Sequence, residues 1–310
     1  MMTDYDGAWK ETLETYLQPF LELCFPFVAA DIDWSVGFEF LDKELQEVVR
    51  DADLGKQRVD KLVKVRRLNG AEGWVLAHVE IQSQPDEGLP RRCYQYHHRL
   101  VDRFGIPTAT LAFLADESPQ WRPSAYEEEM WGCRMRFEYP VCKLTDFGGI
   151  EALEKLDNPV AVVMAAHLAA QQTRAQDGLR LTRKSELVRQ LYERGRTRQE
   201  VLDLFRLIDW LLVLPEGLEV AFRRDLVEYE SKKSMPYITS IERLGRQEGR
   251  QEGRQEARQQ DIIEALEIRF ERVPDGLREA VEHVNDTEKL HVLLRTAIRC
   301  PDIESFSKEL

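Results

Sequence analysis

Arg58 to Ser83, RVDKLVKVRRLNGAEGWVLAHVEIQS, is the stretch on which the fold turns. Val59 to Val65 and Trp74 to Ile81 are rich in β-branched and aromatic residues, and the turn-rich Asn69-Gly70-Ala71-Glu72-Gly73 lies between them, so the stretch predicts a β-hairpin. Alternate residues of a strand share a face. His78, Glu80 and Gln82 therefore project one way while Val79 and Ile81 enter the core.

Working outward, Ala8 to Phe20 carries apolar residues at helical intervals, and Phe38 to Val49 repeats the pattern, with Ser35 and Gly37 marking a helix start between them. Beyond the hairpin, Pro90 opens a helix that runs to about Phe104, with Tyr94, His97, Leu100 and Val101 at helical spacing. Thr108 to Leu114 follows as a short apolar strand, Pro119 to Glu129 reads as a charged loop, and Met135 to Val141 adds a further strand. The order helix, strand, strand, helix, strand defines an α/β domain over residues 1–148.

From Gly149 to about Lys232 the period is helical, through Val160 to Ala170, Ser185 to Tyr192 and Arg198 to Leu214, giving a helical extension over residues 149–240. After Pro236, Arg246-Gln247-Glu248-Gly249 repeats as Arg250 to Gly253 and, with alanine last, as Arg254 to Ala257. On a helix this places Arg246, Arg250, Arg254 and Arg258 in one stripe and Glu248, Glu252 and Glu256 in another, about 200° away. Like charges at i and i+4 weaken such a helix alone. Two side by side set arginine against glutamate, so residues 241–260 read either as a self-association helix giving a homo-oligomer or as a solvated linker. Residues 261–310 read as a small helical domain.

With 310 residues and 43% hydrophobic content, the chain is long enough for more than one domain and a sizeable core. The first residues lack a secretory layout and no apolar run is long enough to span a bilayer, so the expectation is a soluble cytoplasmic protein with no membrane partner. The five cysteines are scattered, without a Cys-x-x-Cys pair, which excludes a zinc-finger pattern. A formal net charge of -13 opposes general coating of nucleic acid. Lys56 to Arg103 departs from this, with ten basic residues against six acidic ones, a net of +4.

The same stretch holds the chemistry. A hard cation such as Mg2+ (or Mn2+) takes a few carboxylate or carbonyl oxygens and keeps several waters, a need that Asp60, Glu80 and the backbone carbonyl of Ile81 meet. From spacing alone, charged residues on the exposed face of a hairpin look the same, and that structural reading is the favoured one.

Several segments in order carry a resemblance: Asp33-Trp34, Phe40-Leu41-Asp42-Lys43-Glu44-Leu45, Arg58 to Val63, His78 to Ser83, Arg92 to Leu100 with Tyr96, Trp121-Arg122-Pro123-Ser124 and Trp131-Gly132-Cys133. Over roughly residues 4–150 the chain resembles the recombination-promoting nuclease and putative transposase family, a branch of the PD-(D/E)XK restriction-endonuclease-like superfamily. The resemblance implies a restriction-endonuclease-like core, a mixed sheet flanked by helices, followed by an α-helical C-terminal region. It also implies a metal-dependent DNA endonuclease tied to recombination or a mobile element, with Asp60 and Glu80 as the metal-binding acids and Glu44 as an accessory one.

Gln82 falls where the superfamily motif has lysine, and Val59 where it has proline. Glutamine has no positive charge and places water by hydrogen bonds. Arg92, Arg99 and Arg103, with Tyr96, are the expected nucleic-acid contacts on the helix after the hairpin. The alternative is a catalytically weak or inactive member that serves as a DNA-binding or protein-interaction module.

Overall fold

A computed structural model describes residues 5–43, 45, 61–68, 74–238, 258–270, 273–284 and 286–310. Asp60 and Glu44 lie outside them, as do Asn69 to Gly73 and the Arg-Gln-Glu-Gly repeat up to Ala257. The chain divides into two compact units, Met1–Glu228 and Tyr229–Leu310.

The first unit opens with helix α1, Tyr5–Cys24, whose face Trp9, Leu13, Leu17, Phe20 and Leu21 is buried. Pro19 lies inside it, and the backbone at Tyr16 leaves helical geometry (φ -130°, ψ 39°). A proline ring has no room behind it in the preceding turn, so the kink falls there. A short helix, α2 (Pro26–Ala29), and a 3-10 turn (Trp34–Val36) lead to Gly37, at φ 77°.

Among the described residues, five strands form a mixed sheet in the order β1 (Phe38–Phe40), β2 (Lys61–Arg66), β3 (Trp74–Gln82), β4 (Thr108–Leu114) and β7 (Val141–Lys143). The β1–β2 and β2–β3 pairs are antiparallel, and β3–β4 and β4–β7 are parallel. The expected hairpin is thus present, with Leu62 opposite His78 and Val63 opposite Ala77. Helix α3, Leu89–Phe104, makes the crossover from β3 to β4. It begins at a proline turn and ends at Gly105, whose φ of 62° is a left-handed cap.

The sheet is covered on both faces. On one side Trp9 and Phe20 of α1 pack on Phe113 of β4, at ring distances of 4.6 and 5.5 Å. On the other, Leu62, Leu76 and Leu100 close a core with Leu45, and Leu89, Cys93, Ala112 and Leu114 form a second with Tyr139. A central strand so enclosed buries both of its sides, which is why His78 and Glu80 are as deeply placed as Val79 and Ile81.

Three expectations are corrected. Phe38 to Val49 was to be helical throughout, yet Phe38–Phe40 is a strand opposite Val65 to Val63, and helical residues begin at Asp42. Phe38 and Phe40 alternate onto one sheet face, and pairing with β2 overrides the helical spacing. Pro119 to Glu129 was to be loop, yet β5 (Ala125–Met130) pairs antiparallel with β6 (Cys133–Glu138) in a separate two-stranded sheet. Its glutamates are held there by cross-strand arginines, Glu127 to Arg136 and Glu129 to Arg134, each at 2.7 Å. Finally, Met135 to Val141 is two strands in different sheets, parted by Tyr139-Pro140.

The rest of the first unit is helical: α4 (Ile150–Leu153), α5 (Pro159–Gln172), α6 (Asp177–Glu193) and α7 (Arg198–Leu211), with α8 (Glu216–Lys233) reaching the boundary between units. Helix α5 is buried nearly all round and packs against α1, where Trp9 Nε1 donates to His167 Nδ1 at 2.9 Å. A helix apolar on every side needs such enclosure.

In the second unit a helix through 258–270 joins α9 (Asp275–Glu282), α10 (Thr287–Arg299) and α11 (Ile303–Ser307) around Ile262, Leu266, Val281, Leu290, Leu293 and Phe306. Arg269 fastens it, donating to the carbonyls of Ala297 and Cys300 at 2.6 Å each. Among the described residues, no helix is long and apolar enough to cross a membrane.

Candidate functional site

β3 carries the site: it is the middle strand of the five, paired on both edges and covered on both faces. Its residues His78, Glu80 and Gln82 turn toward α3, whose first turn supplies Arg92. Glu80 is 1% exposed, so the exposed-face reading of this carboxylate does not hold. Its surroundings instead form a buried charge arrangement centred on one guanidinium.

Arg92 Nε donates to Glu80 Oε1 at 2.7 Å, one terminal nitrogen donates to Gln82 Oε1 at 2.9 Å, and the other to Asp86 Oδ2 at 2.6 Å. Burial alone would lower the pKa of Arg92, but Glu80 and Asp86 outweigh it and hold the guanidinium above its ordinary range. Because arginine can only donate, the Gln82 atom facing it must be the carbonyl oxygen, and Gln82 Nε2 then donates to the Gln84 carbonyl at 2.8 Å. Asp86 also accepts from the Gly88 amide at 2.8 Å, which holds the turn into α3.

Glu80 Oε2 is left over. It is buried and, among the described residues, has no hydrogen-bond partner, with His78 Nε2 3.5 Å away and outside hydrogen-bond geometry. Burial depresses the pKa of His78 below its ordinary value, against the pull of Glu80, so the ring is neutral at neutral pH. Tyr96 of α3 meets the edge of that ring, with centroids 5.5 Å apart. A buried carboxylate oxygen without a partner is costly unless something pairs with it.

That oxygen is the observation against which a divalent ion is tested. A hard cation fits a carboxylate oxygen of this kind. Among the described residues, no group of three or more His, Cys, Asp or Glu side chains is placed to hold a metal ion. The other acids expected there, Asp60 and Glu44, lie outside the described residues, Asp60 directly preceding Lys61 in the chain. Ile81 turns its side chain into the opposite core, where it is 4% exposed.

The basic helix is divided in its use. Arg92 points into the sheet and is nine-tenths buried, Arg99 is half-buried and Arg103 is exposed. Tyr96 is core against His78. The structure thus joins Glu80, Gln82, Arg92 and Tyr96 in one cluster and leaves Arg103 at the surface.

Sequence reasoning missed two features. Asp86 had no motif to mark it, although its place just before a helix start is a common capping position. Lys61, beside Asp60, is buried on the opposite sheet face and bonds Glu14 of α1 and Asp42. Burial would lower its pKa, but these two carboxylates raise it above the ordinary value. Alternation along β2 was enough to place Lys61 on the Val63 side; nothing in the spacing identified its partners.

The aromatic groups around α3 hold the β5–β6 hairpin. Tyr94 stacks on Tyr126 at 5.3 Å and His97 meets Phe137 at 4.6 Å. No protein-family model, curated protein or solved structure matches the chain.

Proposed function

We propose that the first unit is a divalent-metal-dependent DNA endonuclease of the PD-(D/E)XK type, tied to recombination or a mobile element as the sequence resemblance implies. The observation that carries this reading is the buried Glu80 carboxylate, with Oε2 unpartnered among the described residues, on the central strand of a mixed sheet. The element order supports it: a helix, three antiparallel strands, a helix, and a strand parallel to the third.

In this reading Asp60 and Glu80 hold Mg2+ or Mn2+, with the Ile81 carbonyl and Glu44 contributing. When bound, the ion supplies Lewis-acid polarisation of the scissile phosphate and a more acidic water. Glu80 presents Oε2 to it and keeps Oε1 on Arg92. Gln82 lies beside the carboxylate and orients water through its amide group. Arg103 and Arg99 of α3 meet backbone phosphates.

A second reading, a nuclease-fold protein that binds DNA or protein without cutting, is favoured by one observation: both ends of the Gln82 amide are already engaged, by Arg92 and by the Gln84 carbonyl. Plasmid nicking separates the two. Nicking that needs Mg2+ or Mn2+ and disappears in both Asp60→Asn and Glu80→Gln carries the enzyme reading. Binding without nicking, or nicking that survives either change, rejects it.

A further inference from the structure

We infer that Arg92 is the positioning cation of the site, the group that sets Glu80 and Gln82 in working geometry; the inference rests on the nuclease reading. Hydrolysis of a phosphodiester builds negative charge, and preorganised positive groups stabilise it best in a water-poor setting. On β3 the side chains turned toward the site are the His78 imidazole, the Glu80 carboxylate and the uncharged Gln82 amide. The strand itself therefore brings no lysine or arginine to that face. The guanidinium that does reach it comes from α3.

Its contacts fit a positioning role better than a fastening role. A fastening arginine needs one carboxylate. Arg92 instead engages two successive same-face residues of β3, Glu80 and Gln82, and is itself steadied from the outer side by Asp86. It takes Oε1 of Glu80 and leaves Oε2 without a partner among the described residues, which fixes the direction in which the carboxylate faces. It likewise fixes the orientation of the Gln82 amide. A planar fork can hold both; a lysine, with one point charge, cannot hold both in the same way.

The test uses the full chain and three variants, Arg92→Gln, Arg92→Lys, and Arg92→Gln combined with Gln82→Lys. Three quantities are read: Mn2+ affinity by titration, single-turnover cleavage of plasmid with its KM, and the melting temperature. Arg92→Gln is expected to weaken Mn2+ binding and slow cleavage by about 10- to 100-fold each, the usual effect of losing a group that orients a metal ligand. Moving the positive charge to the strand in the double variant is expected to recover most of the Mn2+ affinity.

Arg92→Lys keeps the charge and is expected to fold, with Mn2+ affinity close to the parent, unchanged KM for DNA and slower cleavage. Arg92→Gln with parental Mn2+ affinity and cleavage, or a fall in melting temperature alone, overturns the inference. Should Arg92→Gln not fold, Arg92→Lys decides: cleavage at the parental rate overturns the inference, and slower cleavage at unchanged KM upholds it. Failure of the nuclease reading looks different. There Asp60→Asn leaves Mn2+ binding unaltered, or the parent binds none, and both ideas fall; if Asp60→Asn abolishes binding while Arg92→Gln keeps the parental Mn2+ affinity and cleavage, only the role of Arg92 falls.

Discussion

Lys143 Nζ lies 2.6 Å from Asp116 Oδ2 with both side chains fully enclosed, and the same ammonium donates to the Trp121 carbonyl at 2.9 Å. The pair joins β7 to the loop leaving β4. Removing one partner strands a buried charge, so Lys143→Met is expected to cost about 3–5 kcal/mol. Adding Asp116→Asn is expected to recover part of that, since asparagine keeps an oxygen for the Ser118 amide. Urea unfolding of the two single variants and the double variant measures the coupling, and strictly additive losses would contradict it.

Stability at acid pH depends on His167. Burial holds its pKa at about 4, against the ordinary 6.5, and its Nδ1 accepts from Trp9. A depressed histidine stabilises the fold fully above its unfolded pKa. Below 6.5 the unfolded chain takes up a proton that the folded one refuses, so stability drains away down to the folded pKa. The loss from this group approaches ~3 kcal/mol. In His167→Gln, which retains an acceptor for Trp9, the fall in unfolding free energy between pH of about 7.5 and about 4.5 is expected to be smaller than in the parent.

Gly105 isolates a purely conformational cost. Its φ is 62° and an added Cβ meets nothing within 4 Å. Gly105→Ala is therefore expected to lose about 1 kcal/mol through backbone strain alone. Gly148 has φ 75° and would bring its Cβ within 3.3 Å of Ala152 Cβ, so Gly148→Ala is expected to cost more. Equal melting temperatures for the two variants would refute the ranking.

Asn158 tests the join between α1 and the helices that follow the sheet. Its Oδ1 accepts from the Val160 amide at the start of α5, and its Nδ2 donates to the Pro19 carbonyl of α1. Asn158→Ala is expected to cost about 1–2 kcal/mol, and Asn158→Asp, which keeps the cap and loses the donor, an intermediate amount. Identical stability of the alanine and aspartate variants would show that the bond to Pro19 contributes nothing.

The mixed α/β character, the β2–β3 hairpin, α3 and β4 could be read from residue order because each shows its own period over six or more positions. β1 could not: three residues are too few to show alternation, and the helical spacing that continues past them masks it. β5 was hidden by its glutamates, which in the strand lie opposite Arg134 and Arg136 and pair with them. In the site, alternation correctly put His78, Glu80 and Gln82 on one face. What it could not supply was Arg92 on Glu80, a contact between residues 12 apart that exists only once α3 folds back over the sheet. Arg92 and Arg99 share a helical period, yet Arg92 is nine-tenths buried against Glu80 and Gln82 while Arg99 is half-buried.

The double enclosure of β3 has a kinetic side. Its amides are paired to β2 or β4 and shielded from water by helices above and below, so the segment around Glu80 should exchange hydrogen for deuterium only when the entire first unit comes apart. The setting of Glu80 therefore has no private, local route to loosening, and it persists for as long as the unit itself stays folded.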